Sequence, residues 1–144
     1  MIPPAPVPSS GDSITIGTVT TNSGTAAAYG EAEVKGFELA VSEINAKGGI
    51  NGKKVKLESM DDKGDATELQ RFNKLAGDNS VLGVVGPTIS STTAAVAPLA
   101  DQSKLVTIAP AATSDSIETG NYLFRTCFKD SYQGEVLHAS PPRT

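Results

Sequence analysis

From Ser13 to Thr20 (SITIGTVT), β-branched and polar residues alternate, the period-two pattern of a strand. After a loop at Thr21–Thr25 the period changes. Phe37, Ala40, Val41 and Ile44 fall at i, i+3, i+4 and i+7, which predicts one apolar face on a helix from about Ala27 to Ala46. Gly48 and Gly49 stop that helix, because glycine takes the left-handed conformation of a helix C-terminus cheaply. Asn51-Gly52 is a turn signal, and Lys54 to Met60 (KVKLESM) alternates as a second strand.

Asp65 can cap the next helix, with Glu68 at the capping-box spacing. Leu69, Phe72 and Ala76 then face inward, and Gly77 ends the helix. Val81–Val85 (VLGVV) is apolar on both faces, which suits a central parallel strand covered by helices. Gly86-Pro87 breaks it. Ser90, Ser91 and Thr92 offer caps for a third helix to about Gln102, and Pro98 should bend that helix or mark its first turns. Leu105–Ile108 and Tyr122–Thr126 are the fourth and fifth strands. The order β-α-β-α-β-α-β-loop-β implies an α/β fold: an open parallel sheet with helices on both faces. The flavodoxin-like strand order 2-1-3-4-5 is the common solution. Residues 1–12, with Pro3, Pro4, Pro6 and Pro8, form a Pro-rich leader that favours extended, unpaired backbone.

Composition narrows the chemistry. A net charge of −4 with dispersed Lys and Arg argues against a nucleic-acid partner. One cysteine, Cys127, and one histidine, His138, leave no internal disulfide, no Cys/His zinc site and no Ser–His–Asp triad. No apolar run reaches the ~20 residues of a membrane span, and the N-terminus lacks the n-region and h-region of a signal peptide. No cofactor is implied. The P-loop pattern is missing, and no Gly-x-Gly-x-x-Gly follows the first strand. Asp61, Asp62 and Asp65 cluster after the second strand. A receiver-type metal pocket also needs a carboxylate after the first strand, and that strand ends in Thr20, Thr21 and Asn22, so the acids are expected to be solvated caps.

In such a sheet, ligands sit beyond the carboxyl ends of the strands, near the switch in strand order. Those ends are Thr21–Tyr29, Asp61–Asp65, Gly86–Ser91 and Ala109–Thr113, hydroxyl-rich and nearly neutral. The loop Gly86–Ser91 runs into a helix start, where free backbone N–H groups and the helix dipole favour an anion. Ser90 adds a hydroxyl there, either for a ligand or as a simple helix cap. The loop Pro110–Ser114 is small enough for a ligand to approach the backbone, and Thr113 offers a donor and an acceptor. Together the loops suit a carboxylate held by neutral dipoles. A nucleophile–base pair, a phosphate loop and an acid cluster of the required kind are all missing, so an enzyme is not expected.

The stretches ITIGTVT, AAYGEAEVKGFELAVSEINAKGGINGKKV, VVGPTISSTTAAVAPLA, TIAPAATSD and YLFRTCFKDSYQG resemble the Leu/Ile/Val-binding solute receptors of ABC transporters. The resemblance implies two α/β lobes around a cleft, an amino-acid ligand, a membrane permease as partner and an extracytoplasmic location for the full-length parent. It implies that Ser90 and Thr113 hold the ligand's α-carboxylate and help with its ammonium group. Backbone groups of Ile89 and Ala111 would add hydrogen bonds, Tyr29 would lie over the cleft, and Thr88 near the ligand side chain. Residues 13–134 correspond to the first lobe. Residues 135–144 depart from the pattern and are expected to be an atypical, truncated tail, in which Glu135–Leu137 could begin a helix that His138 and the following prolines do not continue. A second function class stays open: a self-associating α/β half, a homodimer or swapped dimer with little ligand affinity, joined through Tyr122, Leu123, Phe124 and Phe128.

Overall fold

A computed structural model describes residues 13–65, 69–117 and 120–139. The leader at 1–12, Glu68 of the expected capping box and the tail residues 140–144 lie outside the described residues. The chain forms β1 (Ser13–Thr20), α1 (Ala27–Ala46), β2 (Lys54–Asp61), α2 (Leu69–Ala76), β3 (Val81–Val85), α3 (Ser90–Ser103), β4 (Thr107–Ala109), β5 (Leu123–Arg125) and α4 (Asp130–Ala139). All neighbouring strands pair in parallel, in the order β2-β1-β3-β4-β5. Both features agree with the reading of the hydrophobic periods.

The ends of α1 follow from its sequence. Gly49 N–H bonds to Ile44 O at 2.9 Å and Gly48 N–H to Asn45 O at 3.2 Å. This pair of bonds is a Schellman motif with Gly48 (φ 99°) at the left-handed position. Asn51 and Gly52 both have positive φ and close the turn into β2.

The main core lies on one face of the sheet. Val19, Val84 and Leu123 from the strands meet Phe72 and Leu75 of α2 and Val96 and Ala100 of α3. Helix α1 lies over β1 and β2 on the other face, where Ile14 and Val55 are register partners buried outside that cluster. The expected apolar face of α1 is only partly buried. Phe37, Val41 and Ile44 are half-buried, Ala40 is exposed, and only Gly30 is fully buried. Among the described residues no element packs over the outer side of α1, so its apolar residues meet the sheet on one flank alone.

Four local expectations differ from the structure. Strand β4 starts at Thr107 rather than Leu105, because the left-handed Lys104 turns the chain and Leu105 N–H bonds back to Ala100 O at 3.1 Å. Strand β5 is shorter at both ends, and Tyr122 N–H is taken by Asp101 Oδ1 at 2.9 Å. Pro98 lies well inside α3 on an exposed face, and the helix runs through it. The last helix begins at Asp130 and includes His138 and Ala139, so it crosses Gly134. Its start is held by Asp115, whose carboxylate accepts Ser131 N–H at 2.9 Å and the Ser131 hydroxyl at 2.7 Å.

Candidate functional site

The carboxyl ends of β1, β3 and β4 open onto one cleft of about 320 Å³, lined by Ala26, Tyr29, Thr88, Ile89, Ser90, Ala111 and Thr113. All six residues singled out from the sequence, Ser90, Thr113, Ile89, Ala111, Tyr29 and Thr88, are therefore brought together, with Ala26 added. None of the seven carries a charge.

The third loop is shaped by Gly86. Its φ is 116°, and any Cβ there would overlap the Val19 carbonyl. Strand β3 thus turns sharply against β1, and the chain enters α3 with Ile89 as its N-cap residue. Among the described residues no side chain caps this helix. The capping role considered for Ser90 is not taken, because Ser90 is the first helical residue and its Oγ accepts the Ser114 N–H at 3.2 Å. That bond ties the third loop to the fourth. As an acceptor there, the Ser90 hydroxyl keeps its own proton to donate. The uncapped N–H groups and the helix dipole leave this end suited to an anion.

The fourth loop is clamped from behind by residues the sequence reading passed over. Arg125 donates to the carbonyls of Ala112 (3.2 Å), Ser114 (2.8 Å) and Ile117 (3.3 Å). Cys127 Sγ lies 3.3 Å from Ala112 O. The only signal for this was an arginine in the last strand of an otherwise neutral region. Tyr29 is 67% exposed at the cleft edge, so core packing does not account for it.

The Thr88 hydroxyl is committed within the protein rather than free for a ligand. It accepts Thr21 N–H at 3.0 Å and donates to Glu33 Oε2 at 2.6 Å. The acids after β2 are also not simply solvated, as their pattern led us to expect. Asp62 is buried, and its Oδ1 accepts the Thr21 hydroxyl at 2.6 Å and Gly64 N–H at 2.9 Å. Asp61 holds Asn22 N–H (2.9 Å), Lys63 N–H (2.8 Å) and the Ser23 hydroxyl (2.9 Å). Burial acts to raise its pKa, but these donors and the Lys63 charge outweigh it and hold the carboxyl below 3.8. Among the described residues no group of three His, Cys, Asp or Glu is placed to hold a metal ion.

Glu33 behaves oppositely. Burial is the largest influence and pushes its carboxyl above the ordinary 4.5; the Thr88 bond pulls it down and Asp62 pushes it up. Its folded pKa is raised, so its stabilising effect is complete below about 4.5 and is lost as pH rises through the folded value. Glu33→Gln cannot ionise. It is expected to melt with the wild type in acid and about 2 °C above it at neutral pH, the side chain being only partly buried. Thermal denaturation at the two pH values checks this, and an equal offset at both would contradict it.

The periplasmic binding protein family model matches residues 13–138. The Leu/Ile/Val-binding protein BraC3 of Rhizobium johnstonii is 37% identical over 126 residues, covering 85% of this chain and 34% of the relative. The Leu/Ile/Val-binding protein of Escherichia coli is 33% identical over 125 residues, with coverage of 85% and 34%. Among solved structures, the branched-chain amino acid substrate-binding protein LivJ of Streptococcus pneumoniae, in complex with isoleucine, is 42% identical. It superposes with a TM-score of 0.82, covering 87% of this chain and 36% of that one. A substrate-binding protein of Desulfitobacterium hafniense in complex with leucine gives 0.79 at 29% identity, covering 87% and 37%. The chain thus spans about a third of the length of the curated relatives it matches.

Proposed function

The chain belongs to the periplasmic binding protein family, and on that premise we propose that it forms the first lobe of an ABC-transporter solute receptor for a branched-chain or related amino acid. The observation that carries this reading is the neutral cleft in which an uncapped helix start faces a hydroxyl loop across a single hydrogen bond, Ser114 N–H to Ser90 Oγ. In this reading the α-carboxylate sits at the α3 start. It accepts hydrogen bonds from the Ser90 and Thr113 hydroxyls and from backbone N–H groups near Ile89. Carbonyls near Ala111 and the Thr113 oxygen assist the ammonium, and Tyr29 covers the ligand from the rim. Neutral dipoles suffice for a carboxylate because several converge on it without bringing a counter-charge that must be desolvated. The full receptor would meet its permease outside the cytoplasmic membrane, where such receptors collect solute. Calorimetric titration with the twenty amino acids tests the reading. Heat with leucine, isoleucine or valine and none with lysine or glutamate is expected; heat with none of the twenty, or with charged side chains alone, would sink it.

A second reading concerns assembly and is favoured by one surface. Phe124 is 50% exposed and Phe128 52%, and Tyr132, Val136 and Leu137 on α4 are exposed beside them in sequence. Leu123, expected on that surface, is instead fully buried in the core, and Tyr122 packs partly against it. With β5 at the sheet edge, this apolar group and the outer edge of that strand form a surface suited to self-pairing. The chain is expected to pass from monomer to two-fold dimer as concentration rises into the high micromolar range. Light scattering across a dilution series checks it, and a monomeric mass throughout would contradict it.

A further inference from the structure

Behind the cleft, four residues from separate segments form one string of hydrogen bonds through their side chains and the Thr21 backbone N–H. Glu33 Oε2 on α1 accepts the Thr88 hydroxyl at 2.6 Å; Thr88 Oγ1 accepts Thr21 N–H at 3.0 Å; the Thr21 hydroxyl donates to Asp62 Oδ1 at 2.6 Å. Thr21 and Thr88 are each 1% exposed and Asp62 2%. The string therefore fastens together α1, the loop after β1, the loop after β2 and the turn that carries Ile89 and Ser90. A hydroxyl has one proton. Given to Glu33, it leaves the Thr88 oxygen as a pure acceptor for the Thr21 amide. Two further carboxylate oxygens, Glu33 Oε1 and Asp62 Oδ2, are buried with no hydrogen-bond partner among the described residues, so both acids are held at a desolvation cost that surface capping would not require.

We propose that Glu33 is a positioning residue for the amino-acid site: its ionised carboxylate fixes the Thr88 hydroxyl as acceptor of the Thr21 N–H and so locks the third loop to the first beneath the ligand. This role rests on the reading of the cleft as an amino-acid site. A charge-assisted hydrogen bond is roughly twice as strong as a neutral one. Protonated Glu33 carries its own donor, so the Thr88 proton loses its ionic partner and the lock weakens. Burial of Glu33 moves this change to milder acidity than an ordinary glutamate would give. The titratable group that acts on it is Asp62, at the far end of the string, with Asp61 and Lys63 its neighbours in sequence; Tyr29 lies one turn earlier on α1.

The test is a pH titration of the full chain by NMR, following the Glu33 carboxyl carbon and the Thr21 amide together. The Thr21 amide is expected to move with the Glu33 midpoint. That step should vanish in Glu33→Gln and in Thr88→Val, and persist in Asp62→Asn. The same samples are titrated with leucine, read at the Ser90 and Thr113 amides. Glu33→Gln is expected to bind about threefold more weakly than wild type at neutral pH and equally below the Glu33 midpoint; Glu33→Ala about tenfold more weakly at neutral pH. A Thr21 step that survives in folded Glu33→Gln, or wild-type leucine affinity in both Glu33 variants, would overturn the positioning role alone. A wild-type chain whose Thr21 amide follows Glu33 but whose cleft ignores leucine would overturn the amino-acid reading beneath it.

Discussion

The 144-residue chain is expected to bind leucine, isoleucine or valine about a thousandfold more weakly than a receptor that closes two lobes around the same ligand. Micromolar binding corresponds to roughly −8 kcal/mol and millimolar binding to roughly −4. The cleft explains where the difference arises. Its lining offers donors for a carboxylate from Ser90, Thr113 and the α3 start, yet none of its seven residues is acidic. The ammonium of an amino acid thus keeps its water, or meets only carbonyl and hydroxyl oxygens. In the proposed site the ligand side chain would meet Ala26, Tyr29 and Ile89 from one side, so about half of its apolar surface would stay wet and its hydrophobic contribution would halve accordingly. An opposing lobe that supplies a carboxylate and a second wall restores both terms. Calorimetry on the monomer measures this directly. Saturable micromolar binding by a single chain would show that one lobe suffices.

Gly86→Ala is expected to cost roughly 4 kcal/mol, a large share of the roughly 5–15 kcal/mol that holds an ordinary domain folded. Two independent penalties add. A φ of 116° lies where an alanine Cβ is strained, and the added Cβ would overlap the Val19 carbonyl of β1. That carbonyl is backbone of a central strand and cannot swing aside as a side chain could. Gly86 N–H also bonds to Ile108 O at 2.8 Å, so any backbone shift breaks the β3–β4 ladder that positions the third and fourth loops. Gly36→Ala is the matched control. Gly36 lies inside α1 with nothing near the position a Cβ would take, and the alanine should stabilise by about 0.5–1 kcal/mol through the helix backbone. Urea midpoints of the two variants check this. Comparable stability of Gly86→Ala and wild type would contradict the account of the third loop.

The main elements were legible because each hydrophobic period is local, and the strand order followed because alternating strands and helices have one common open solution. VLGVV suited a strand covered on both faces, and the INAKGGING run carries both a helix stop and a turn in its glycines. The cleft was legible for a different reason: the parallel topology dictates that the ends of β1, β3 and β4 share one side of the sheet, so Tyr29, Ser90 and Thr113 had to meet. What escaped was long-range pairing of polar groups. Nothing local to Glu33 announces a bond to Thr88, 55 positions away, and Asp62 looks like a solvated turn residue until the Thr21 hydroxyl is placed against it. Arg125 escaped likewise, because its partners are loop carbonyls, which every residue possesses. The exposure of α1 also escaped, since an apolar stripe shows that a helix can bury a face and not what is present to cover it.

The most direct test of the proposed site is an amide shift map of the labelled chain titrated to tens of millimolar with leucine and, separately, with leucinamide, which lacks the carboxylate. Saturable shifts at Tyr29, Ile89, Ser90, Ala111 and Thr113 with leucine, and little response at Ser90 and Thr113 with leucinamide, are expected of a carboxylate seated on the α3 start. Equal responses to the two compounds, or leucine shifts confined to the Phe124 and Phe128 surface, would contradict it.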